Sequence, residues 1–181
     1  MDLEELFKKV IARLNESKIP YMLTGGLAVT IWGRPRSTMD IDVVIDLKKY
    51  HQEKVYESFH KDFYINLDEI SQAIERKISF NIIDRESGGA IDFYFVKNDE
   101  YGEVRFKRRL TKKILDMKVS IITPEDLILI KLQWYKESES TKHLEDAESI
   151  FKISGEKLNR KYLIKWAKKL DVYDILKGYA Q

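Results

Sequence analysis

Cysteine is missing from all 181 residues, which excludes disulfides, thiolate nucleophiles and thiolate zinc sites. No apolar run approaches the roughly 18 residues that a membrane-spanning helix needs. Neither charge dominates: 32 Lys and Arg against 30 Asp and Glu leave a formal net charge of +2, too little to mark a nucleic-acid binder by itself. The opening MDLEELFKKVIARL is acidic and amphipathic, whereas a secretory signal opens basic and then turns wholly apolar. His51, His60 and His143 lack the spacing of metal ligands and read as surface residues. These absences fit a cytoplasmic protein with no membrane partner.

What is present is a globular composition, 44% hydrophobic and 34% charged, over about one domain's length. Leu3, Leu6, Phe7, Val10, Ile11 and Leu14 fall on one helical face, with Asp2 as N-cap. Tyr21 to Leu23 read as a strand ending at Gly25-Gly26, followed by a short apolar helix over LAVTIWG. A polar loop, RPRSTMD, leads into a strand over IDVVID, and residues 48–59 resume helical spacing. The segments ISFNIID (78–84) and AIDFYFV (90–96) flank a Ser-Gly-Gly turn and predict a hairpin. A further strand over VSIIT stops at Thr123-Pro124-Glu125-Asp126, a helix start with a threonine cap, a first-turn proline and two acids near the positive end of the helix dipole. The expectation is an α/β domain over residues 1–123 and a helical subdomain over residues 124–181.

Three pieces carry the chemistry. Gly25 and Gly26, between strand and helix, let backbone N–H groups approach a phosphate, although such a pair also serves as a plain tight turn. Asp40 and Asp42, two apart on a strand, point to one face, a costly arrangement unless a cation sits between them or both are solvated. Carboxylate oxygens suit Mg²⁺, whose shell is usually completed by water and substrate phosphates. Asp92 interrupts an apolar strand. If that strand lies beside the one carrying Asp40 and Asp42, the three acids converge on a site able to hold two Mg²⁺ ions; otherwise Asp92 faces solvent.

The run LTGGLAVTIWGRPRSTMDIDVVID resembles the nucleotidyltransferase superfamily that includes DNA polymerase β. Its signature is a Gly-Gly or Gly-Ser turn, a spacer, Asp-x-Asp on a strand and a third Asp on a later strand. Thirteen residues separate Gly26 from Asp40 here, and Asp92 fits the third position. The spelling around Arg36, Thr38, Asp40 and Asp42 is similar to the minimal and antibiotic-type branches, including enzymes of the AbiEii toxin kind. TPEDLILIKLQWY and the later His143-Leu144-Glu145-Asp146 resemble their helical portion. The resemblance implies a mixed sheet flanked by helices and followed by a helical bundle. It also implies Mg²⁺-dependent transfer of NMP from an NTP, most simply ATP, to a hydroxyl of a small molecule, a protein or an RNA end.

In that scheme Gly25 and Gly26 take the triphosphate, Asp40 and Asp42 hold metal, and Asp92 activates the acceptor hydroxyl and shares the metal. Arg36 contacts phosphate or holds its loop, with Arg34 a weaker candidate, and Thr38 supports the acids. Lys131, on an otherwise apolar helix, either faces the triphosphate or snorkels to solvent. The alternative is a toxin–antitoxin component or a catalytically weak nucleotide-binding module that meets a protein partner through its C-terminal helices. Seven basic residues between Glu103 and Lys118 suggest either RNA binding through Arg105, Arg108 and Arg109 or a charge-protected edge strand. Trp32, Trp134 and Trp166, at helical positions, read as core.

Overall fold

In a computed structural model that describes residues 3–178, the N-terminal apolar spacing closes into α1 (Leu3–Ser17), which buries Leu6, Phe7, Val10, Ile11 and Leu14. Asp2, the expected cap, lies outside the described residues. β1 (Tyr21–Leu23) is fully buried and runs into α2 (Gly25–Trp32), after which a loop returns the chain to β2 (Ile41–Ile45). A 3₁₀ turn and α3 (Gln52–Phe59) fill the helical stretch expected over 48–59. The expected hairpin is β4 (Phe80–Asp84) and β5 (Ala90–Phe95), antiparallel with Asn81 opposite Asp92.

The helices that pattern reading did not foresee begin at side-chain caps. After the short β3 (Phe63–Tyr64), α4 (Leu67–Arg76) starts where the Asn66 side chain accepts hydrogen bonds from the N–H groups of Asp68 and Glu69, and it also buries Ile70, Ala73 and Ile74 at helical spacing. α5 (Glu100–Lys107) starts where Asp99 accepts one from Gly102 at 2.6 Å. Such caps satisfy donors that a helix end leaves unpaired. β6 (Leu110–Ile114) and β7 (Met117–Ile121) then form an antiparallel pair.

The seven strands make one mixed sheet in the order β3-β4-β5-β2-β1-β7-β6. β2 runs parallel to β5 and antiparallel to β1, and β1 runs parallel to β7. Strand alternation sends Ile41, Val43, Ile91 and Phe93 to one side, all fully buried. Phe59 of α3 packs edge-on against Phe93 there, ring centres 5.8 Å apart. The other side carries Asp42, Asp92 and Tyr94.

The chain then turns wholly helical: α6 (Pro124–Ser138), α7 (Thr141–Ser154), a 3₁₀ turn, α8 (Arg160–Lys169) and α9 (Tyr173–Lys177). The foreseen start of α6 is present: Thr123 accepts from the Asp126 N–H at 3.1 Å, with Pro124 in the first turn. Asp126 does more than favour the dipole. Fully buried, it accepts hydrogen bonds from the hydroxyls of Thr123, Tyr101 and Tyr162 at 2.7, 3.1 and 2.6 Å, joining α5, α6 and α8. The helices share one hydrophobic cluster with the sheet, and the Trp32 indole donates to the Ile122 carbonyl at 2.9 Å. Trp166 is buried, whereas Trp32 and Trp134 are half-buried. No helix among the described residues is long and apolar enough to cross a membrane.

β6 forms the outer edge of the sheet, as charge protection predicts. The three arginines proposed for RNA do not form an outward basic face. Arg105 belongs to α5 and is buried; Arg108 pairs with Glu125 and Asp126 and covers the Tyr162 ring at 3.7 Å; Arg109 donates to the Phe106 carbonyl at 2.6 Å. The arginines sit on a helix and its exit, where internal carboxylates and aromatic rings claim them. His143 also departs from its surface reading: its ring is tilted 60° against Trp134 at 5.3 Å with Nδ1 buried, and burial lowers its pKa.

Candidate active site

The parallel pairing of β2 and β5 sets Asp42 directly beside Asp92. Both are half-buried on the same face. Burial raises the pKa of Asp92, and the charges of Asp42 and Asp40 raise it further. The carboxylates therefore crowd one another, a situation that a hard divalent ion would relieve. Asp40 stands one residue before β2 and is exposed. Among the described residues no group of three or more acids or histidines is gathered closely enough to hold a metal ion as it stands.

Beside this pair stands the start of α2. Thr24 donates its N–H to the Asp42 carbonyl at 2.9 Å, and the Gly26 N–H approaches Asp42 Oδ2 at a long 3.4 Å. Gly25 has φ +64°, a left-handed conformation that favours glycine, and a Cβ there would collide with the Asp42 carboxylate. A Cβ on Gly26 would lie 2.6 Å from Thr38 Oγ1, so both glycines are required by close approach. Thr38 in turn reaches the Asp40 carbonyl at 3.5 Å. The glycine turn thus lies against both the acid strand and the loop that feeds it.

Arg36 and Lys131 meet on a carboxylate to which the sequence reading gave no role of its own. Asp146 of α7 is almost fully buried, and its Oδ2 accepts from Arg36 at 2.7 Å and Lys131 at 2.9 Å. Lys131 does not snorkel: it is 3% exposed. Burial lowers its pKa, with Asp146 opposing the shift and Asp42 felt at longer range. Arg36 accordingly anchors the 34–40 loop to α7. Arg34 pairs with the exposed Glu145.

Tyr94 is the second residue missed from sequence, although its position two beyond Asp92 on a strand already put it on the same face. Its pKa is pushed up to about 12, first by burial and then by the charges of Asp42 and Asp92, and its hydroxyl is within hydrogen-bonding influence of Asp42. Two cavities flank it. One, about 290 Å³, is lined by Asp92, Asn81 and Ser79; the other, about 300 Å³, lies between the sheet and α6.

Two comparisons bear on this arrangement. The model of the aminoglycoside-2''-adenylyltransferase family matches residues 6–126, which contain the glycine turn and all three acids. The antibiotic-resistance factor ANT(2'')-Ia in solution is 16% identical, with 98% of this chain and 94% of that one covered at a TM-score of 0.57. The same enzyme in complex with adenylyl-2''-tobramycin is 14% identical over 92% and 95% of the two chains, TM-score 0.54. The lincosamide antibiotic adenylyltransferase LnuA, bound to lincomycin, is 16% identical over 83% and 98%, TM-score 0.53. At these identities the solved structures establish a shared fold. No curated protein matches the chain by sequence.

Proposed function

The chain belongs to the aminoglycoside-2''-adenylyltransferase family and is a nucleotidyltransferase, and from that premise we propose that it moves AMP from ATP to a hydroxyl of a small molecule. The observation that carries this reading is the register of β2 and β5, which puts Asp42 beside Asp92 within reach of the glycine turn. The acceptor oxygen attacks the α-phosphorus, the bond from that phosphorus to the bridging oxygen breaks, and pyrophosphate leaves. Asp92 takes the hydroxyl proton, a role that suits a carboxylate whose proton affinity is raised by its surroundings. Gly25 and Gly26 present backbone donors at the positive end of α2 to the triphosphate.

Asp42 and Asp92, joined by Asp40, are the residues that would hold Mg²⁺, and two ions are expected with nucleotide bound. Such ions supply charge neutralisation for the phosphates and acidify the hydroxyl. Lys131 and Arg36 add positive potential behind the site while Asp146 fixes their positions, and Thr38 holds the approach to Asp40. In this reading residues 1–123 carry the chemistry and residues 124–181 form a subdomain that steadies it.

The acceptor class follows ANT(2'')-Ia and LnuA, whose structures contain adenylyl-2''-tobramycin and lincomycin, both small molecules. The test is incubation with α- or γ-labelled ATP, Mg²⁺ and a pool of small hydroxyl compounds. The α label should enter an acceptor while the γ label appears in pyrophosphate. ATP binding with no transfer to any fraction would favour the nucleotide-binding module instead.

A further inference from the structure

The cavity between the sheet and α6 is lined both by neighbours of the acids and by Arg105. Tyr94, which is under the influence of Asp42, lines it, as does Thr24 next to the glycine turn. Arg105 reaches the lining from α5 and also borders a neighbouring cavity with Tyr101 and Trp166. Arg105 is 8% exposed, its Nε is buried with no hydrogen-bond partner, and no ion pair to it is found among the described residues. Its nearest support is the Tyr101 ring, 5.5 Å from the guanidinium carbon. Burying the Nε of a cation without a partner is costly, and an oxyanion bound to the guanidinium would offset part of that cost.

The rest of the lining agrees with this. Lys77 and Lys97 add two cations against the one carboxylate of Glu137, and Tyr94 and Trp134 supply aromatic surface. Lys77 is partly engaged, with Nζ 3.4 Å from the Leu47 carbonyl, whereas Lys97 is exposed. A polycationic acceptor such as an aminoglycoside would place like charge against this group. A planar anion fits, because the guanidinium fork matches carboxylate and phosphate oxygens.

We propose that this cavity is the acceptor subsite and that the acceptor is a small, aromatic or otherwise flat hydroxyl compound bearing an oxyanion, which Arg105 binds with help from Lys97. The role of this cavity as an acceptor subsite rests on the adenylyl-transfer reading. The anion site itself can be tested without turnover.

The test is an NMR titration of the full chain, without nucleotide, using benzoate and separately phenyl phosphate, with tobramycin as the cationic control. The reporter is the Arg105 Nε–H resonance, assigned through its own side-chain carbons. It should shift saturably with at least one of the anions, and the tighter of the two identifies carboxylate or phosphate as the recognised group. Tobramycin should leave it unmoved. Reversing the exposed Lys97 to Glu should weaken anion binding about tenfold, the scale of one charge pair near a protein surface, without requiring a change at a buried residue. An Nε–H resonance unmoved by both anions, or an affinity unaltered in Lys97→Glu, overturns the proposal. Because no transfer occurs in the tube, that failure would leave the adenylyl-transfer reading to be judged by its own label experiment.

Discussion

Gly25 and Asp42 approach so closely that a Cβ on Gly25 would stand 1.8 Å from Asp42 Oδ2. The glycine turn and the acid strand therefore form a single unit: moving one displaces the other. At φ +64° the position is also strained for any other residue. Gly25→Ala should cost about 1–3 kcal/mol through backbone strain alone, read as a fall in the denaturant midpoint. It should also lower nucleotide transfer more than the stability loss explains, since the displaced side chain is Asp42. A Gly25→Ala protein of wild-type stability and rate would show that this contact is not maintained.

The crowding of Asp92 gives a pH signature with a definite sign. Its pKa is raised in the folded state by burial, then by Asp42 and Asp40. Between the ordinary aspartate value and that raised value the folded chain binds more protons than the unfolded one. Asp92 therefore makes stability fall as pH rises through this window. Asp92→Asn should remove this slope and, without metal, leave the protein as stable as wild type or more so at neutral pH. Thermal melts of both proteins from pH 3 to 8 check it, on the order of the carboxylate range. An identical slope in the two proteins would rule out the crowding.

Asp146 serves two cations, which makes its loss unequal to theirs. Asp146→Ala leaves Arg36 and the buried Lys131 facing each other without a counter-charge and should destabilise by about 3–5 kcal/mol. Lys131→Met should be milder, because Arg36 remains paired with Asp146 at 2.7 Å. Urea midpoints that rank the two variants the other way would contradict the proposed role of Asp146 as their organiser.

Sequence pattern points to those parts of the candidate site that local chemistry encodes. Gly25-Gly26, Asp42 and Asp92 are legible because strand alternation, turn chemistry and the resemblance to nucleotidyltransferases all point at them. The hairpin over 78–96 and the start of α6 are legible for the same reason. Asp146 is not, because its partners lie 110 and 15 residues away in sequence, at Arg36 and Lys131, and nothing in the spacing announces a shared buried carboxylate. Arg105 and Arg108 look like part of a basic run until α5, α6 and α8 supply Tyr101, Asp126 and Tyr162 around them. Tertiary packing thus takes inward two charges that a one-dimensional reading leaves at the surface.

The most direct test of the account compares wild type with Asp42→Asn for transfer of α-labelled AMP from ATP in the presence of Mg²⁺. The substitution keeps side-chain size and removes one charge from the pair proposed to face the phosphates. Turnover should fall by about 10²–10³, the scale for losing one preorganised electrostatic element, while the fold, followed by circular dichroism, is unchanged. Equal rates of acceptor labelling in the two proteins would contradict the assignment of Asp42 and Asp92 as the chemical centre.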